Sequence, residues 1–212
     1  MMLPSANRSR QIGLLLILVT AIGWGLNWPI VKVVLRDWPP LFARGVAGSA
    51  AAFGLALAAA ACGQSLAVSR GVIVPLCAAA ALNVFAWMGF STMAMVWLSV
   101  GEAALLVYTM PIWAMLLAWP VRGARPSLRG IGALMLGMAG LAVLFSGAGL
   151  PVASERWPGV VLALAAAILF ALGTVTLRSP LPLPPISLTA WQVGLGCLPM
   201  VVLGLLFEQP DP

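Results

Sequence analysis

Long apolar stretches separated by short polar breaks set the pattern of this chain. Charges and Pro/Gly clusters divide it into seven segments: Ile12–Val34, Leu41–Ala61, Val72–Met95, Val100–Trp119, Gly130–Ser146, Gly159–Leu177 and Leu188–Phe207. Each holds roughly 20 residues, the length of helix that crosses a hydrocarbon core of about 30 Å. The connections between them are too short to house a soluble domain. Arg8 and Arg10 ahead of the first segment imitate a signal peptide, but the apolar run continues to about Leu35, too far for a signal core. It is therefore read as an uncleaved first helix. The expected fold class is an all-α integral membrane protein of about seven transmembrane helices.

Composition agrees and removes competing functions. Apolar residues make up 62% of the chain and charged residues 8%, against roughly 45–50% and about 25% in soluble domains. The net charge of +6 does not indicate a nucleic-acid partner, because the basic residues form no patch or stripe. The chain has no histidine, which excludes histidine metal sites, histidine proton relays and serine–histidine catalysis. Cys62, Cys77 and Cys197 lie in or beside apolar runs at spacings that match no metal site. Asp37 and Asp211 sit at interfaces, so a pair of membrane-embedded catalytic aspartates is missing too. No enzymatic activity, cofactor or metal is expected.

The basic residues instead set topology. With alternating spans, Arg8, Arg10, Arg70, Arg122, Arg125, Arg129 and Arg178 share one side. The other side holds Arg36 and Arg156, each beside an acid, and Lys32 at the end of the first span. Positive residues mark the cytoplasmic face. The amino terminus is expected inside, residue 212 outside, and the protein in a bacterial-type inner membrane.

The sixth span matches the first in spacing. Gly13-Leu14-Leu15, Trp24-Gly25-Leu26-Asn27 and Lys32 align with Gly159-Val160-Val161, Phe170-Ala171-Leu172-Gly173 and Arg178. The seventh resembles the second: Pro39-Pro40, Phe42-Ala43-Arg44, Gly45 and Gly48 stand against Pro184-Pro185, Ala190-Trp191-Gln192, Gly194 and Gly196. An offset of five spans inverts the second copy. Inverted repeats are characteristic of secondary transporters, whose substrate site lies between the copies. The chain divides into a first repeat, residues 1–147, and the start of a second, residues 158–207.

Several of these motifs occur in a familiar order. Trp24-Gly25-Leu26-Asn27 with Pro29 and Lys32, then Pro39-Pro40-Leu41-Phe42-Ala43-Arg44, then Gly101-Glu102-Ala103-Ala104-Leu105-Leu106-Val107-Tyr108-Thr109-Met110-Pro111 and the run from Arg129 to Gly140 resemble the EamA family of the drug/metabolite transporter superfamily. The resemblance covers nearly all of residues 12–207. It implies two five-helix repeats and a central cavity shared by helices one, three and four with six, eight and nine. It also implies that this chain is truncated after the seventh of ten helices, the last three being absent.

Candidate site residues are the polar and aromatic groups near mid-span, which a cavity for an organic solute needs. They are Trp24 and Asn27 beside the helix-kinking Pro29, Asn83 and Trp87 in the third span, Tyr108 (with Thr109 and Pro111) in the fourth and Thr174 in the sixth. For gating, Arg44 or Lys32 is expected to pair with Glu102, which is also the one acid placed to exchange a proton. Small residues, Ala133, Gly137 and Gly140 in the fifth span and Ala163, Ala167 and Ala171 in the sixth, are expected to serve as scaffold. The expected activity is secondary transport, as an exporter, of a small metabolite or drug-like solute by alternating access. The alternative is a truncated or non-transporting membrane subunit, inactive without a partner. Expected partners are a small-molecule substrate, the lipid bilayer, and a homo-oligomer or a missing second-half chain.

Overall fold

A computed structural model describes residues 6–147, 154–177 and 180–208. Arg178, which belongs to the charge argument, and Asp211, one of the two aspartates weighed above, lie outside the described residues. Among these residues every regular element is helical. Seven helices follow the seven apolar segments: α1 (Ala6–Val34), α2 (Pro40–Ala61), α3 (Arg70–Ala94), α4 (Val100–Arg122), α5 (Leu128–Gly147), α6 (Trp157–Thr176) and α7 (Pro185–Glu208). Six of them are long and apolar enough to cross a membrane, and α5, of 20 residues, is apolar as well. This is the architecture of a multi-pass membrane protein.

Prolines and glycines place the ends. Pro40 and Pro185 occupy the first turns of α2 and α7, where the missing N–H is no loss. Gly123 closes α4 with φ +69°, a left-handed cap that glycine adopts without strain. Interior prolines have a different effect. Pro111 has no donor for the carbonyl of Val107, and α4 tightens there: Thr109 N donates to Leu106 O at 3.2 Å and Ile112 N to Thr109 O at 2.9 Å. The expected continuous fourth span is therefore two helical pieces, Val100–Val107 and Met110–Arg122. In α3 the middle third, Ala80–Phe90, is a π-helix, a geometry often found at functional sites.

Close packing follows the glycines of α2 and α7, which run antiparallel. A Cβ at Gly45 would lie 2.6 Å from Val201 N, and one at Gly204 would lie 2.6 Å from Phe42 N. Neither position admits a side chain. Each helix also caps the other. Glu208 accepts from Leu41 N at 3.0 Å and Phe42 N at 2.9 Å. At the opposite end Gln64, just past α2, accepts from Ile186 N at 3.1 Å and Ser187 N at 3.3 Å. First-turn donors of both helices are thus satisfied by reciprocal contacts.

The apolar core gathers Trp28, Met95, Leu98, Leu106, Val107, Ala163 and Ala166 from α1, α3, α4 and α6 and the turn between α3 and α4. The small face expected on α6 is buried, Ala163, Ala167 and Ala171 all lying in the interior. That expected on α5 is not: Ala133 is exposed, and open space surrounds Gly137 and Gly140. Among the described residues no helix covers it. Helix α1 is likewise exposed from Ile12 to Leu26 and enters the core only in its last turns.

Candidate functional site

A cavity of about 380 Å³ lies between α1, α2, α3 and α6. Trp24, Asn27 and Trp28 approach it from α1, Arg44 from α2, and Phe170 from α6. Helix α3 contributes Asn83, Trp87 and Ser91 at intervals of four, and Met95 follows just past its end. The first two lie in the π segment.

Its aromatic part is a short chain of rings. Trp24 and Trp87 have centroids 6.4 Å apart, and Trp87 and Phe170 4.7 Å apart. Trp28, 8% exposed, forms the floor, its Nε1 donating to the Tyr108 hydroxyl at 3.0 Å. The polar part centres on Arg44, whose Nη1 donates to Asn27 Oδ1 at 3.1 Å. Two buried atoms in the wall have no partner, the donor Arg44 Nε and the acceptor Asn83 Oδ1. A buried polar group without a partner is costly, so both mark polar strain in the wall. Of the lining residues Arg44 alone is charged.

The structure brings together four of the expected substrate residues, Trp24, Asn27, Asn83 and Trp87. Tyr108 stands behind the wall, bonded to Trp28 and 42% exposed on its other side. Thr174 lies outside the cavity, its hydroxyl donating to Phe170 O in its own helix at 3.0 Å. The expected gate pair does not form. Arg44 faces Asn27. Lys32 Nζ donates to Met95 O, and to Leu98 O at 3.3 Å, capping the carbonyl end of α3. Glu102 pairs with Arg156 at 2.8 Å and closes a capping box with Ser99 at the start of α4. Arg156 leads into α6, so it lies within reach of Glu102, while Arg44 is turned into the cavity. At the other end of the same helix pair, Arg122 donates to Val175 O at 2.7 Å and Thr174 O at 3.1 Å. Helices α4 and α6 are thus tied at both ends.

Sequence reasoning did not select Trp28, Ser91, Thr92 or Phe170, and gave Arg44 a gating role. A usable signal existed for Phe170, which the repeat aligns with Trp24; both rings pack on Trp87. Among the described residues no cluster of His, Cys, Asp or Glu can hold a metal ion.

Comparison with known proteins agrees in class. Residues 11–146, most of α1 to α5, match the profile of the EamA-like transporter family. The uncharacterized transporter YvbV of Bacillus subtilis (strain 168) is 29% identical over 195 residues, covering 92% of this chain and 63% of that protein. The uncharacterized transporter YoaV of the same organism is 25% identical over 194 residues, 91% of this chain and 66% of its own length. The chain thus spans a little under two thirds of these relatives. No solved structure matches it significantly.

Proposed function

The chain belongs to the EamA-like transporter family, and from that premise we propose that it forms part of a secondary transporter for a small organic solute. The observation that carries this reading is the cavity of about 380 Å³ between α1, α2 and α3 of one repeat and α6 of the other. Its size suits a small metabolite, and a site between inverted repeats suits alternating access, in which the repeats rock around bound solute. Trp24, Trp87 and Phe170, whose rings pack at tilted angles, would hold an apolar body, with Asn27, Asn83 and Arg44 orienting its polar end. The contacts Glu102–Arg156 and Arg122–Val175 tie α4 to α6 at both ends, so these two helices would move as one unit.

The direction is export from a cytoplasm on the side of Arg70, Arg122, Arg125 and Arg129, in a bacterial-type inner membrane. A second reading is favoured by the exposed face of α1, where Gly13, Gly23 and Gly25 have open space around them. In that reading the chain transports only when helices from elsewhere, in a longer chain or a second one, complete the cavity wall.

The test is solute flux in proteoliposomes with Trp87→Ala beside the unaltered protein. Loss of one aromatic contact with the solute, about 0.5–1.5 kcal/mol, is expected to lower apparent affinity by about two- to tenfold. Flux that Trp87→Ala leaves unchanged would remove the cavity from the pathway.

A further inference from the structure

The charge of the cavity points to the class of its guest. Arg44 sits half-buried in the wall, with one bond to the neutral Asn27 and its Nε without a partner. No carboxylate lines the cavity to neutralise it. A guanidinium in that position lacks the acid that structural arginines inside membranes normally have. A second, independent feature lies next to it. Met95 also lines a recess of about 270 Å³ whose other walls include Lys32 and Arg36, again without an acid. Cations at the mouth and one inside give a field that attracts anions and repels cations.

We infer that the cavity takes a small organic carboxylate, with Arg44 as the residue that binds its carboxylate and the Lys32–Arg36 recess as its exit on the outer side. Guanidinium–carboxylate bonds are charge-assisted and directional, and Arg44 has donors left to make them. The aromatic chain Trp24–Trp87–Phe170 accepts the apolar remainder. This rests on the transporter reading, since it assigns a guest to the same cavity.

The experiment is binding of phenylacetate, phenylacetamide and phenethylamine to the full chain in lipid nanodiscs, read by tryptophan fluorescence. These three probes share a ring and differ in charge. The expected order is phenylacetate tightest, by about tenfold or more over the amide, and the amine weakest. Arg44→Gln should abolish the preference while leaving the amide bound, and Arg44→Lys should retain part of it. Unchanged melting of both variants keeps the comparison on the site. Equal or tighter binding of amide or amine overturns the carboxylate assignment and leaves the transporter reading standing. A preference that survives Arg44→Gln overturns the role of Arg44. Absence of binding by all three overturns the carboxylate assignment and the cavity reading together.

Discussion

At the scale of single residues, two glycines on helices related by the repeat separate packing from open space. A Cβ added at Gly173 would run into the Asn83 amide and lie 3.0 Å from Leu82 Cβ. A Cβ at Gly25 would meet nothing within 4 Å. Gly173→Ala must therefore push α6 from α3 or turn Asn83 out of the cavity wall. It is expected to cost about 1–3 kcal/mol and to weaken solute binding. Gly25→Ala is expected to be neutral or stabilising by about 0.5–1 kcal/mol, because alanine restricts the unfolded chain and suits a helix interior. Thermal melting of the two variants in micelles checks this, and equal effects would contradict the close approach at Gly173. The selection of Asn27, Asn83, Trp24 and Trp87 was possible from sequence because an amide or indole at mid-depth is conspicuous among apolar neighbours. Tyr108 is equally conspicuous, but Pro111 breaks α4 beside it and its hydroxyl is engaged by Trp28. Depth along a span is readable; the side of the helix is not, once a proline or a π segment changes the turn.

At the scale of elements, the reciprocal caps of α2 and α7 stand out because they join the two repeats. Glu208 places a carboxylate on two donors at the positive end of the α2 dipole. Gln64 does the same at α7 with a neutral amide. Glu208→Ala is expected to lower stability by about 0.5–2 kcal/mol, and Gln64→Ala by an amount at the lower end of that range. The two sites lie at opposite ends of the helix pair, so the double variant should show additive losses. Unfolding in mixed micelles measures all three, and strong coupling between the two sites would indicate that α2 and α7 shift as a pair when either cap is lost. The helices themselves were legible as apolar runs bounded by Pro39-Pro40, Pro184-Pro185 and Gly123. The partners of their charged ends were not. Lys32, Arg44, Arg156 and Glu102 all belong to α1, α2, α4 or the entry to α6, and charge alone permits several pairings. Contact geometry selected Glu102 with Arg156.

At the scale of the whole molecule, alternating spans put the loop with Asp37 and the loop with Ala124 on opposite sides. The excess of arginine around Ala124 is the ground for proposing that side as the cytoplasmic one. In a background with Cys62, Cys77 and Cys197 replaced by alanine, Asp37→Cys in intact cells should react with a membrane-impermeant maleimide. Ala124→Cys should react only after the membrane is opened. Both loop positions are exposed, so the reverse pattern would invert the proposed topology. The exposed face of α1 and the uncovered face of α5 belong to this scale as well. In lipid such faces are solvated by hydrocarbon and cost little, so their exposure is compatible with both readings of the assembly.

The sequence by itself determined the solvent in which this chain folds and the number of its apolar segments. Those are properties of composition and period, and they survive any arrangement of the helices. Only the tertiary structure decided that Arg44 faces a cavity and not a gate, that Glu102 belongs to Arg156, and that Phe170 joins Trp24 across Trp87. Each of these depends on helix rotation and on contacts between segments far apart in the chain. In so uniformly apolar a sequence the hydrophobic pattern favours no rotation over another; the close fit of glycines and the few polar bonds do.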